Sequence, residues 1–205
     1  RQECKDYRET TISHTLTISE AEQPWFRFEE PIEEYITYNE NDNTFVKKAI
    51  GGYETGIITY EIVEGDAAEI DDESKGILTI LKAGTVTVKA TKTYPNYIPI
   101  TAEYTLTIEK ADQTGFGFKK PLKEYITYNE NDNIFKKEAT GGESEGDITY
   151  FIDEEQSDKG VATIDNATGE LVIQKAGEVK VKATKKGDEC YKDAVASYSL
   201  SIEKA

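Results

Sequence analysis

The sequence predicts an all-β fold made of two consecutive antiparallel β-sandwiches. Three observations predict it: a domain-sized internal repeat, short stretches that alternate apolar and polar residues, and turn-forming clusters between them. Residues 31–62 (PIEEYITYNENDNTFVKKAIGGYETGIITYEI) align without a gap with residues 121–152 (PLKEYITYNENDNIFKKEATGGESEGDITYFI), and YITYNENDN is identical in both. Residues 81–92 match residues 174–185, and YTLTIEKA ending at Ala111 matches YSLSIEKA ending at Ala205. The offset between copies drifts only from 90 to 94, so each unit is about 90–95 residues long, far longer than a solenoid repeat.

Within a unit the elements follow in order. Phe26 and Phe28, matched by Phe116 and Phe118, keep a period of two and predict a strand face that enters the core. ITYEI (58–62) sets Ile58, Tyr60 and Ile62 against Thr59 and Glu61, and ILTI (77–80) is a further short run. TVTVKAT (85–91) alternates Val86, Val88 and Ala90 against Thr85, Thr87, Lys89 and Thr91. YTLTI (104–108) puts Tyr104, Leu106 and Ile108 on one face and threonines on the other. NENDN, Gly51-Gly52, Ala83-Gly84 and Asp165-Asn166 with Gly169 supply the turns. No window has helical amphipathicity, and six or seven short strands in about 92 residues predict a sandwich.

The first twenty residues read as a partial third copy: Tyr7 lies 14 residues before Ala21, as Tyr97 does before Ala111 and Tyr191 before Ala205. The expected organisation is the closing strand of a preceding repeat over 1–20, a first domain over 21–110 and a second over 111–205. A closing strand that instead opens the next unit is an equally valid phase on sequence grounds. The chain begins at Arg1 and contains no methionine, which predicts an internal segment of a longer protein.

Composition narrows the partners. Of 205 residues, 37% are hydrophobic and 31% charged, with 24 basic residues against 40 acidic ones and a formal net charge of −16. That excess of negative charge repels nucleic acid and anionic membranes. No run of about 18 apolar residues is present, so membrane insertion by this segment is not expected.

The order GG…G.ITY.I, then ATID.ATGELVI.KAG.V.VKATK, then Y…A.ASYSLSIEKA, carried best by residues 141–205, resembles the bacterial immunoglobulin-like repeats found in tandem in large cell-surface and secreted proteins. The first unit carries the diverged AAEIDDESKGILTILKAG over 67–84. The resemblance implies tandem immunoglobulin-like antiparallel β-sandwiches, an extracellular setting on a bacterial surface or in a secreted protein, and a stalk or adhesive role. The Glu-rich composition and the cysteines depart from that pattern.

Catalysis finds little support. His14 is the only histidine and stands where the sister copies have Tyr104 and Tyr198, which marks a packing or edge residue. No HExxH or GxSxG occurs, and Gly51-Gly52 and Gly141-Gly142 lack the Lys-Ser/Thr of a phosphate loop, so they read as turns needing positive φ. The paired carboxylates of EEPIEE (29–34) are replaced by Lys119, Lys120 and Lys123 at matching places of the second unit, the pattern of a solvated charged face. No catalytic, cofactor-binding or metal residue is assigned, and an enzyme is not expected.

The NENDN stretches, Asn39 to Asn43 and Asn129 to Asn133, leave two readings open. Asn and Asp fill loop positions with left-handed backbone geometry, while the same oxygens are ligands of the type calcium prefers. NENDN also resembles the asparagine–aspartate linker motif of cadherins, but in sequence it sits inside a unit. Cys4 and Cys190 occupy near-equivalent places in different units, too far apart for a bridge if the units lie end to end. Asn166-Ala167-Thr168 reads as part of a DNATG turn rather than a glycosylation acceptor. Trp25, with Gly115 as its counterpart, reads as junction packing, or as an aromatic platform for sugar or protein. The expected function is a non-catalytic stalk or spacer in adhesion whose partners are neighbouring repeats. The rivals are direct binding of a host protein or glycan, and an accessory domain of a secreted enzyme.

Overall fold

The computed structural model of the chain describes residues 9–205. The first unit contains β1 (Phe26–Phe28), β2 (Glu33–Thr37), β3 (Thr44–Val46), β4 (Ala49–Gly51), β5 (Ile57–Glu64), β6 (Ala68–Asp72), β7 (Ile77–Ile80), β8 (Gly84–Thr93) and β9 (Ile100–Glu109). The second contains β10 (Gly117–Phe118), β11 (Lys123–Thr127), β12 (Ile134–Lys136), β13 (Ala139–Thr140), β14 (Ile148–Ile152), β15 (Ala162–Ile164), β16 (Glu170–Ile173), β17 (Gly177–Lys185) and β18 (Ala194–Glu203), with one short 3-10 turn at Glu154–Gln156.

Each unit builds a four-stranded sheet, β2-β9-β8-β5 or β11-β18-β17-β14. It is faced by a three-stranded sheet, β3-β7-β6 or β12-β16-β15, and a two-stranded one, β1-β4 or β10-β13. These are immunoglobulin-like β-sandwiches. The expected alternation is what fills them: Val86, Val88 and Ala90 of β8 and Tyr104, Leu106 and Ile108 of β9 are buried, as are Val179, Val181, Ala183, Tyr198, Leu200 and Ile202. Fully burying one such aliphatic side chain contributes about 1.5–3 kcal/mol. Phe28 meets Tyr104 edge-on at 4.6 Å between ring centroids, and Phe118 repeats the contact with Tyr198 at 4.7 Å. Two separate apolar clusters result, one per unit.

One pairing departs from the all-antiparallel expectation. β2 runs parallel to β9, with Ile36 beside Ile108, and β11 runs parallel to β18, with Ile126 beside Ile202. The closing strand β9 is thereby hydrogen-bonded between β2 and β8 of the stretch that precedes it. Parallel pairing also places the end of β2 beside the end of β9, where Tyr38 N donates to Glu109 O at 2.8 Å. The loop after β2 therefore lies where the chain leaves the first sandwich.

Residues 9–20 are exposed and form no strand. At Ala21 the chain is held by an isolated parallel bridge to Tyr97, with Ala21 N donating to Asn96 O (3.1 Å) and Ile98 N to Ala21 O (2.9 Å).

Candidate functional site: the junction between the two sandwiches

The two sandwiches meet through the linker and the 188–193 loop. The linker is Lys110 to Thr114, and Ala111 repeats the bridge made by Ala21. Ala111 N donates to Cys190 O at 2.9 Å, and Lys192 N donates to Ala111 O at 2.8 Å. Gln113 Nε2 donates to Lys192 O (2.8 Å), while its Oε1 accepts from the backbone N and the hydroxyl of buried Ser144 (3.1 and 2.8 Å). Lys110 Nζ donates to Asp188 O at 2.6 Å.

The 188–193 loop is closed by local hydrogen bonds. The Asp188 carboxylate accepts from Cys190 N (2.8 Å) and Tyr191 N (2.9 Å), and Asp193 accepts from Gly187 N (2.8 Å), so short acidic side chains tie the backbone into turns. The loop presents Glu189, Cys190 and Tyr191 to the first sandwich. Ala83 N donates to Glu189 O at 3.1 Å, and Cys190 Sγ lies 3.6 Å from Leu81 O. Tyr191 stands edge-on to Tyr38 at 5.6 Å and 83°, with its hydroxyl 3.4 Å from Glu40 Oε2. Burial, then the Cys190 thiol, push the Tyr38 phenol up to about 12. Burial and the Glu40 carboxylate likewise raise the Tyr191 phenol.

The NENDN stretch thus does not lie away from the junction as its place in the sequence implied: Glu40 touches the second sandwich. The parallel β2–β9 pair is the cause. In both copies the stretch is a hydrogen-bonded turn. Asn39 Oδ1 accepts from Asn41 N, and Asn129 Oδ1 from Asn131 N, each at 3.0 Å. The carbonyls of Asn43 and Asn133 accept from Ile80 N and Ile173 N at 2.6 and 2.7 Å. Among the described residues no group of three or more His, Cys, Asp or Glu side chains is placed to hold a metal ion.

The remaining candidates fall as follows. His14 is exposed and outside any strand, whereas its counterparts Tyr104 and Tyr198 are core residues. Gly51 (φ +97°) and Gly141 (φ +89°) need positive φ, and a Cβ there would stand 2.2 Å from Trp25 O or 2.1 Å from Gly115 O. Asp165 accepts from Ala167 N and Thr168 N at 3.0 and 2.8 Å, closing the DNATG turn. Cys190 is a free thiol, and Cys4 lies outside the described residues. Trp25 is 62% exposed, with the Arg27 guanidinium 5.4 Å above its ring.

Sequence reasoning passed over Tyr38 and the 188–193 loop as a docking pair. The available signal was the one-residue lengthening between Lys185 and Tyr191 relative to Lys92 and Tyr97.

No helix among the described residues is long and apolar enough to cross a membrane. No protein-family model matches the chain, and no curated protein sequence matches it. Among solved structures it is similar to mouse cadherin-23 EC22-24 at 17% identity and a TM-score of 0.40, covering 88% of this chain and 64% of that one. It is also similar to Drosophila N-cadherin EC1-4 (20% identity, TM-score 0.36, 90% and 51% covered) and to protocadherin gamma B2 extracellular cadherin domains 3-6 (13%, 0.41, 92% and 53%). The chain therefore spans between half and two thirds of the length of these structures. What makes each unit an immunoglobulin-like sandwich is its own strand order and core.

Proposed function

We propose that the chain is a pair of immunoglobulin-like repeats, 21–110 and 111–205, from a bacterial cell-surface or secreted protein, and that it acts as an extracellular spacer. Residues 1–20 are, in this reading, the closing strand of a preceding repeat. The observation that carries it is the repeated linker device. Ala21 and Ala111, at the starts of the two units, bridge to the equivalent tyrosines Tyr97 and Tyr191 of those units, and Tyr191 then docks on Tyr38. Short, hydrogen-bonded linkers hold successive modules in one relation, which a spacer needs and a tether lacks. Ile12, Leu16 and Ile18 are exposed, while their counterparts Ala102, Leu106 and Ile108 line the core, which fits a strand whose sandwich lies upstream. The net charge of −16 opposes non-specific clustering of such rods. The bacterial assignment rests on the resemblance of residues 141–205 alone.

One observation favours direct ligand binding as a second reading. Tyr53, Tyr94 and Tyr97 cluster on the first unit at 4.6–5.5 Å between centroids, and the second unit has Glu143 and Gly187 in place of the first two. Such aromatic groups can stack on sugars or anchor a protein. Binding of the labelled chain to glycan arrays and host-cell surfaces separates the readings. The spacer reading expects no saturable binding. Saturable binding that is lost in Tyr53→Ala or Trp25→Ala replaces it with an adhesive module.

A further inference from the structure

The two repeats carry the same exposed patch with its charge inverted. In the first unit Ile32 (50% exposed) and Tyr35 (65%) sit among exposed Glu29, Glu30 and Glu33. In the second, Leu122 (48%) and Tyr125 (61%) sit among exposed Lys119, Lys120 and Lys123. The apolar centre is kept while three acidic rim positions become three basic ones.

Both patches are held in the same shape. Lys47 Nζ donates to Pro31 O (2.7 Å) and to the Glu34 carboxylate, and Lys137 does the same to Pro121 O (2.5 Å) and Glu124. Thr105 N donates to Ile32 O and Ser199 N to Leu122 O, each at 2.9 Å. Both patches lie along sheet edges, because β2 and β11 end their sheets. An apolar centre inside a charged rim is the anatomy of a protein interface, and a pinned backbone lowers the ordering cost of using it.

We propose that this surface is a homotypic contact in which the acidic patch of one chain docks on the basic patch of a second copy of this chain. Charge complementarity selects the occupant. Patch one against patch one opposes glutamates, and patch two against patch two opposes lysines. A reciprocal arrangement, patch one on patch two and patch two on patch one, is the two-fold form of this contact. The contact is small and belongs to the weak, transient class. The overall charge of −16 per chain works against it, so association depends on the local pattern. This inference is independent of the spacer reading, because a laterally associating rod and a laterally associating binding module are equally compatible with it.

Sedimentation equilibrium of the full chain at physiological ionic strength tests it, using three variants. Glu29→Lys/Glu30→Lys/Glu33→Lys changes the net charge from −16 to −10 and so relieves general repulsion, yet the dimer constant is expected to weaken at least tenfold. Lys119→Glu/Lys120→Glu/Lys123→Glu is expected to weaken it similarly. The combined sixfold swap restores the wild-type charge of −16 and exchanges the two rims, and dimerisation is expected to return to within about threefold of wild type. All six positions are exposed, and circular dichroism verifies that the variants fold. A wild-type chain that stays monomeric up to about 1 mM overturns the proposal. So does a triple variant that associates as well as wild type, or a sixfold swap that fails to recover.

Discussion

Tyr191 of the second sandwich meets Tyr38 of the first edge-on, with ring centroids 5.6 Å apart. The contact joins an aromatic that opens the NENDN turn to one that bridges the linker, so a single pair ties both loops and the chain between them. An edge-to-face pair of this kind contributes about 0.5–1.5 kcal/mol beyond its buried area. A double-mutant cycle with Tyr38→Ala and Tyr191→Ala, read by denaturant unfolding, is expected to give a coupling energy in that range. Either single variant leaves both sandwiches folded, by circular dichroism, but increases proteolysis at 110–114. Additive effects, with no change in linker cleavage, contradict the docking described.

Leu106 and Leu200 occupy equivalent, fully buried positions in separate cores. Truncating either to Ala is expected to cost about 2–5 kcal/mol. The loss falls on one unit at a time, so calorimetry of Leu106→Ala shows one transition lowered and the other nearly unmoved. A uniform shift of a single transition would mean that the two units unfold as one body.

Tyr104 and Tyr198 set an alkaline limit. Burial raises both phenols above their ordinary value, followed by Tyr60 and Glu34 for the first and Glu124 and Tyr150 for the second. A group whose folded pKa exceeds its unfolded one contributes stability that is complete below the unfolded value, about 10 for tyrosine, and lost as pH rises through the folded value. Stability is therefore expected to be level with respect to these groups near neutrality and to fall above about pH 10. Neither hydroxyl oxygen has a hydrogen-bond partner. Tyr104→Phe should change stability at pH 7 by no more than about 1 kcal/mol and reduce the alkaline loss of the first unit, to which the raised phenol of Tyr38 also contributes. A loss of about 3 kcal/mol at pH 7 would reveal a hydroxyl contact that the structure does not contain.

Calcium tests the NENDN turns. Their asparagine side chains already close the turn through Asn41 N and Asn131 N, and Glu40 is directed to Tyr191. A ligand that binds only the folded state raises the unfolding midpoint by mass action. Calcium at about 5 mM, a concentration that saturates even weak extracellular sites, is expected to leave both midpoints where chelator leaves them. A midpoint raised by calcium and lost in Asp42→Asn would establish a site in the first turn.

The strands were legible because their cause is local. Val86, Val88 and Ala90 point one way since residues alternate across a pleat, and no knowledge of partners is needed to see it. The positions of Tyr104 and Tyr198 were legible through repetition. Partner choice was not. That β2 lies parallel to β9 depends on contacts 72 residues apart (Ile36 and Ile108), and five residues reading EEYIT hold no mark of direction. The same omission hid the junction, because the parallel pair alone brings Glu40 to Tyr191. The EEPIEE patch was visible as charge, but its exposed Ile32 and Tyr35 became meaningful only once the edge position of β2 was known.

The contacts of the 188–193 loop are expected to hold the two immunoglobulin-like sandwiches in a fixed relation. Small-angle scattering of the full chain, extrapolated to zero concentration, tests it most directly. One extended particle, about two sandwiches long, is expected, with the same profile in calcium and in chelator and a broadened distance distribution for Tyr191→Ala. A compact side-by-side pair would contradict it, as would a wild-type profile already as broad as that of the variant.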